Sequence, residues 1–279
     1  MSGAIYYNGK FYEHGQAVIP IYDRSIFFGD AVYDAMIGRN GRIFLSGEHF
    51  ERLIQNAASL NIPIQYSLEE LEYISYNVVK KSDLTEFFLY IQLSRCSQRR
   101  VHAYPDNQKS SLLITASPFN LKPEADKLKL TAVEDRRYGY CNIKTVNLLP
   151  AVLASRSAES RGFDEAVFHK SGTVTECAHS NISILKDGVL ITHPDCELIL
   201  PGIAKKHLLS ACVELGIPTN ERPFSLDELY ECDEALVTST TKICLAADEL
   251  DGRRIGGRDE STLKMLQNLL FYEYAIWTM

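Results

Sequence analysis

Two Asn-Gly pairs, Asn8-Gly9 and Asn40-Gly41, constrain this chain more than any other local feature. Each sits between β-prone residues, IYY and KFY around the first and AVYDAMIGR and RIF around the second. Asn-Gly is the strongest short-range hairpin signal, because both central residues tolerate the positive φ of a type I′ turn. The first part of the chain must therefore build antiparallel sheet. The period then changes. In SGEHFERLIQNAASLN, Phe50, Leu53, Ile54, Ala57 and Leu60 recur at helical spacing, with Ser46 as the expected N-cap. A second amphipathic helix is expected over residues 67–81, followed by strands in FFLYIQLSR and SLLITASP.

SPFNLKPEADK, with its two prolines and mostly polar residues, is the best linker candidate. Beyond it LKLTAVED, DEAVFH, ISILKDGVLITHP and EALVTST have strand or hairpin patterns, with helices expected over 147–161, 203–215 and 260–275. The fold class is α+β (mixed α/β), with a smaller N-terminal and a larger C-terminal half. The expected division is 1–117, a linker at 118–124, and 125–279.

Composition excludes several classes of function. A net charge of −7 without a basic patch argues against nucleic-acid binding. No apolar run approaches the ~18 residues of a membrane span. MSGAIYYNGKFYEHG lacks the basic start and apolar core of a signal peptide, so a cytoplasmic protein is expected. The seven cysteines form no C-x-x-C pair, so no metal site is expected and most should be small buried hydrophobes in a reducing compartment.

Four features carry possible chemistry. Lys144, in CNIKTVNLLP, stands at the entrance of an apolar helix pattern. It is either a snorkelling surface lysine or a partly desolvated amine able to form an imine. Glu176, in TVTECAHSN, ends an alternating strand. It is either an ordinary turn carboxylate or the partner of a protonated ring nitrogen. Pro201-Gly202 places the amides of Ile203 and Ala204 at a helix N-terminus, which suits phosphate. Ser239, Thr240 and Thr241 offer hydroxyls, and Arg52, off the apolar face of its helix, is expected to be free to reach an anion. In RCSQRRVHAYP, Arg95, Arg99, Arg100 and His102 cluster as either an exposed basic loop or a carboxylate receptor.

In this order the set closely resembles the fold-type IV pyridoxal-phosphate enzymes, the class IV aminotransferases, over essentially the whole chain. DRSIFFGDAVYDAM, EHFERL, VEDRRYGYCNIKTVNLL, TVTECAHSNISILKDG, HPDCELILPGIAKKHLL and LVTSTTKI carry the likeness. The resemblance implies a two-domain architecture whose larger C-terminal domain has a β-barrel-like core, with pyridoxal 5′-phosphate as cofactor. Lys144 would form the internal aldimine and move the proton between substrate Cα and the cofactor. Glu176 would pair with the pyridine nitrogen; Arg52, the amides of Ile203 and Ala204, and Thr240 would hold the phosphate; Tyr33 would lie near the cofactor and position substrate. Ile143 and the Leu148-Leu149-Val152 face would pack the base of the cofactor cleft.

Within the family the chain looks most like the D-amino-acid (D-alanine) aminotransferase subfamily. The implied carboxylate receptor is Arg100, His102 and Tyr90, with the arginine and histidine supplied by the partner of a homodimer. The implied reaction exchanges an amino group between a D-amino acid such as D-alanine and a 2-oxo acid such as 2-oxoglutarate. A branched-chain L-amino-acid aminotransferase and an aminodeoxychorismate lyase are the alternatives on the same fold, and a binding protein without cofactor is a third. Several positions depart from the family pattern: Cys177 replaces a glycine, Ala204-Lys205 a Thr-Arg pair, Ala31 a glycine, and His179 a turn serine. They bear on the substrate rather than on the cofactor.

Overall fold

The computed structural model describes residues 3–13, 15–104 and 108–279. Pro105, which ends the RCSQRRVHAYP stretch, lies outside the described residues. The chain forms two compact units, one of 1–120 with 143–147 and 275–279, the other of 121–142 with 148–274.

The first unit begins with the two hairpins. Strands β1 (Ala4–Tyr7) and β2 (Lys10–Glu13) turn at Asn8 and Gly9, whose φ values are +45° and +89°. A short helix α1 (Arg24–Phe28) leads into β3 (Ala31–Arg39), which turns at Asn40 and Gly41 into β4 (Arg42–Ile43). Helices α2 (Ser46–Ser59) and α3 (Leu68–Ser82) precede β5 (Glu86–Ser94) and β6 (Ser111–Pro118). The sheet is antiparallel in the order β2-β1-β6-β5-β3-β4. Phe50, Leu53 and Ala57 of α2 are fully buried, as their spacing requires, and join Leu71 and Val78 of α3 in the core. Removing the Phe50 ring would cost about 3–5 kcal/mol.

Ser46 is not the N-cap of α2. The cap position is Leu45, in the left-handed region at φ +51°, and no side chain caps the helix. The helix thus begins one residue earlier than the sequence pattern suggests, and Ser46 is its first residue. Helix α3, by contrast, starts on a full capping box between Ser67 and Glu70.

In the second unit β7 (Lys127–Glu134), α4 (Leu149–Ser160), β8 (Glu165–Lys170), β9 (Thr173–Cys177), β10 (Asn181–Lys186) and β11 (Val189–Thr192) come first. They are followed by α5 (Ile203–Leu215), β12 (Thr219–Glu221), β13 (Phe224–Ser225), α6 (Leu226–Tyr230), β14 (Glu234–Ser239), β15 (Ile243–Leu250), β16 (Arg253–Arg254) and α7 (Glu260–Trp277). The sheet order is β12-β11-β10-β14-β15-β7-β8-β9-β13, with β16 paired to β15. Strands β9 and β10 are joined through residues 178–180, yet four strands separate them in that order. So short a link forces the sheet to roll up, and the core of this unit is barrel-like.

Helix α4 corrects one expectation. Its buried face is small, made of Ala151, Ala154 and Ala158, which pack with Ala166 and Phe168. The alanines allow close approach, and the larger residues are turned outward: Leu148, Leu149 and Val152 are 39%, 62% and 56% exposed instead of packing a cleft base. Ile143 does pack against the first core.

Five of the seven free cysteines are buried. Among the described residues no helix is long and apolar enough to cross a membrane, and no group of three potential ligands could hold a metal ion.

Candidate active site

Lys144 belongs to the first unit because its segment pairs with β3. The Tyr33 amide donates to the Lys144 carbonyl at 2.9 Å, the Val146 amide donates to the Ala31 carbonyl at 3.2 Å, and Val32 bridges Thr145. Gly29 makes this possible. It caps α1 at φ +62°, and a Cβ there would lie 2.1 Å from the Asn147 Oδ1. The Lys144 side chain is half-buried, with Nζ 4.6 Å from the centroid of the Tyr33 ring. Tyr33 stacks on Tyr90 with centroids 5.4 Å apart. Tyr90 donates to Gln92 Oε1 at 2.7 Å, and Gln92 donates to Ser94 Oγ at 3.0 Å, so one face of β5 is a polar ladder. Burial, reinforced by Tyr33, raises the Tyr90 pKa, so its hydroxyl stays a donor.

Arg52 is not free. Its Nε and Nη2 donate to the two oxygens of Asp34, each at 2.8 Å, and His49 Nδ1 lies 2.7 Å from the same carboxylate. Asp34 is fully buried on β3, and its partner could not be read from the helix pattern alone. Burial pushes the Asp34 pKa up, but the Arg52 charge and His49 outweigh it and hold the carboxyl far below the usual range. The pair fixes the plane of the Arg52 guanidinium.

The basic loop divides. Arg95 is 5% exposed and structural: it donates to Asp30 and to the carbonyls of Leu60 and Asn61. Arg100 and His102 are exposed, and both lie against the Phe28 ring, at 5.2 and 5.3 Å. Arg99 is exposed. Among the described residues, Arg100 and His102 of one chain share no hydrogen bond or ring contact with Tyr90.

Glu176 lies in the second unit, 5% exposed on β9. Arg137 donates to its Oε1, while Asn181 Nδ2 and the Leu200 amide each donate to Oε2 at 3.0 Å. Arg137 also grips buried Asp135 through Nε and Nη2 at 3.0 and 2.8 Å and covers the Phe168 ring. Although burial opposes it, hydrogen bonding to Asp135 and the charge of Glu176 raise the Arg137 pKa, so it is a permanent cation. It lay unmarked within VEDRRYGYC; only the buried carboxylates around it reveal its part.

Helix α5 starts at Ile203 behind Gly202, which has no side chain to cap the amides of Ile203 and Ala204. A Cβ on Gly202 would lie 1.8 Å from Asn181 Oδ1, so the helix start closes directly over the residue that holds Glu176. Lys205 is 2% exposed and anchors the helix start, donating to the His193 carbonyl and Asp195 at 2.7 Å. Thr240 is half-buried in the turn from β14 to β15. The same turn carries Lys242, whose Nζ lies 2.9 Å from fully buried Glu165, 3.1 Å from His179 Nε2 and 3.2 Å from Ser180 Oγ. The other ring nitrogen of His179, Nδ1, lies 3.1 Å from Glu165, so the imidazole and Lys242 share one buried carboxylate. Cys177 is buried in the core, where burial pushes its thiol pKa well up and keeps it protonated.

Each unit on its own carries chemistry that pyridoxal phosphate needs: the first an amine beside an aromatic ring, the second a carboxylate fixed by a permanent cation and a helix start without a side-chain cap. Comparison with known proteins agrees. A D-alanine aminotransferase of Listeria monocytogenes serotype 4b (strain F2365) is 36% identical over 267 residues, 93% of this chain and 92% of that protein. A T.th. branched-chain amino acid aminotransferase, complexed with N-(5′-phosphopyridoxyl)-L-glutamate, superposes with a TM-score of 0.89 at 21% identity, covering 99% and 97% of the two chains. A Legionella pneumophila protein described by analogy as a 4-amino-4-deoxychorismate lyase does so at 0.85 and 22%, covering 93% and 97%. A model of the class IV aminotransferase family matches residues 31–250, and this chain belongs to that pyridoxal-phosphate-dependent family.

Proposed function

We propose that this enzyme exchanges an amino group between a D-amino acid, D-alanine foremost, and a 2-oxo acid such as 2-oxoglutarate. One observation carries the choice of substrate. Arg100 and His102 are presented together on Phe28, an arginine and an imidazole suited to one carboxylate, in a chain 36% identical to a D-alanine aminotransferase.

Pyridoxal phosphate supplies the electron sink that accepts the electron pair when the Cα–H bond breaks. Lys144 would be the covalent anchor, and its Nζ, once freed by the substrate amine, would move the proton between substrate Cα and the C4′ carbon of the cofactor. Tyr33, whose ring faces that amine, positions both Lys144 and substrate. Glu176 holds a proton on the pyridine nitrogen. Arg52, oriented by Asp34, the amides of Ile203 and Ala204, and the Thr240 hydroxyl bind the phosphate. Tyr90 joins Arg100 and His102 in receiving the carboxylate.

The enzyme works as a homodimer in which Arg100 and His102 serve the partner's site. The exposed Leu149, Val152 and Leu153 of α4 support a covered face. Its free cysteines suit the reducing cytoplasm.

The test supplies D-alanine and L-leucine separately with 2-oxoglutarate, and aminodeoxychorismate alone. Pyruvate and glutamate form from D-alanine. Turnover of L-leucine only would establish a branched-chain enzyme, and pyruvate from aminodeoxychorismate only would establish a lyase.

A further inference from the structure

Arg24 opens α1 and is 4% exposed, yet it touches none of the groups assigned a chemical role above except through their backbone. Its Nε donates to Asp30 at 2.7 Å. Its Nη1 donates to the Val101 carbonyl at 2.7 Å and its Nη2 to the His102 carbonyl at 3.1 Å. Its guanidinium carbon lies 4.6 Å from the centroid of Phe28, the ring on which Arg100 and His102 rest. One short helix thus holds the loop twice, by the backbone through Arg24 and by the side chains through Phe28.

A buried cation needs its donors satisfied. Asp30 is shared with Arg95 Nε at 2.9 Å, so one carboxylate serves two guanidinium groups. The carbonyls of Val101 and His102 supply the remaining acceptors for Arg24. The loop cannot lift away without leaving that buried guanidinium short of partners, and this couples the loop's position to Arg24. The loop is tied at its start as well, where Gln98 N donates to the Tyr22 carbonyl at 2.9 Å and Asp23 bridges Ser97.

We propose that Arg24 is the positioning residue of the substrate-carboxylate receptor, fixing the carbonyls of Val101 and His102 so that Arg100 and His102 are aimed as a pair. This rests on the reading that Arg100 and His102 receive the carboxylate. Only a guanidinium provides three donors in one plane together with a flat face for Phe28. A lysine keeps the charge and the Asp30 partner but cannot hold both carbonyls in the same geometry.

The test is a double-mutant cycle on the holoenzyme, reading KM for D-alanine and 2-oxoglutarate, kcat, and cofactor affinity. Arg24→Gln should raise both KM values at least ~10-fold, since misplacement by about 1 Å is worth up to ~100-fold. Cofactor affinity should stay unchanged and kcat should change far less than KM. Arg24→Lys should fall between. In an Arg100→Ala/His102→Ala background, Arg24→Gln should add nothing further to KM. Wild-type KM in Arg24→Gln overturns the proposal, and so does an equal KM increase in the double-substituted background, because Arg24 would then act by another route. If Arg24→Gln does not fold, the same cycle with Arg24→Lys decides in the same way. Wild-type KM in Arg100→Ala/His102→Ala defeats the receptor itself, and this proposal with it; normal KM in Arg24→Gln alone defeats only the role of Arg24.

Discussion

Lys144 and Tyr33 are joined twice: the Tyr33 amide donates to the Lys144 carbonyl at 2.9 Å, and the Lys144 ammonium lies 4.6 Å from the Tyr33 ring centroid. The backbone bond sets the height of the lysine along β3, and the ring holds its amine on one side. A lysine with four flexible torsions is thereby restricted without being deeply buried.

Lys144→Ala should therefore keep the fold, because the backbone pairing with β3 survives, and lose the chemistry. Removing a general acid–base lowers rates by about 10²–10⁴-fold, and loss of the covalent anchor adds to that. Borohydride treatment of the wild type should leave the cofactor's mass on the peptide containing Lys144. The same mass recovered on another lysine would reassign the anchor.

Arg137 stands between two carboxylates, Asp135 and Glu176, that are 1% and 7% exposed at the side chain. Arg137→Met would leave both buried charges without their cation, at a cost of about 3–5 kcal/mol. Urea denaturation of the two proteins measures this directly. A midpoint equal to wild type would mean that Asn181 and the Leu200 amide suffice for Glu176.

Acid should act in two stages, and both have the same sign. Burial lowers the His49 pKa, with Arg52 and Lys144 adding to the effect against the pull of Asp34, so the native state refuses a proton that the unfolded chain accepts below about pH 6.5. That stability is lost as pH falls from there, at no more than ~1.4 kcal/mol per pH unit for one proton. Asp34, Glu165 and Asp135 have depressed pKa values because neighbouring cations overcome their burial. Their contribution is present above the ordinary carboxylate range, about pH 4 for the two aspartates and about pH 4.5 for Glu165, and is lost progressively below it. Denaturation midpoints between pH 8 and 3 should show both stages in the wild type. His49→Gln should remove the upper stage only, and an unchanged upper slope would assign it elsewhere.

The residues that sequence made legible are those whose partners are local. Asn8-Gly9 and Asn40-Gly41 determine their own turns, and Phe50, Leu53 and Ala57 declare a buried face by spacing alone. Arg52 was visible as a candidate, but Asp34, which aims it, is 18 residues away on another element and reads as one acidic residue in a strand. Arg137 and Glu176 are 39 residues apart, and neither position suggests the other. In α4 the pattern misled for a physical reason: alanine buries by closeness and leucine by size, and spacing does not say which face the sheet will choose. The proposed carboxylate receptor reads in the sequence only as a basic cluster, and the structure divides that cluster into buried Arg95 and exposed Arg100 and His102.

That outward face of α4 leads to the last prediction. Leu149, Val152 and Leu153 are 62%, 56% and 61% exposed in the single chain, close together on one helix whose other side is already packed on the sheet. Contiguous apolar surface of this kind is what an interface covers. Leu153→Glu and Val152→Glu should shift the sedimenting species from two chains to one, while circular dichroism stays native because neither residue contributes to the chain's own core. Activity should fall with the dimer, since Arg100 and His102 would be withdrawn from the site they serve. A mixing experiment separates assembly from chemistry. Lys144→Ala protein, which is inactive, and Arg100→Ala protein, which is nearly so at D-alanine concentrations well below its raised KM, should regain partial activity at those concentrations when unfolded and refolded together, because a mixed dimer contains one site with both residues intact. No recovery from demonstrably mixed dimers would place Arg100 in its own chain's site, and a dimer undisturbed by Leu153→Glu would move the interface away from α4.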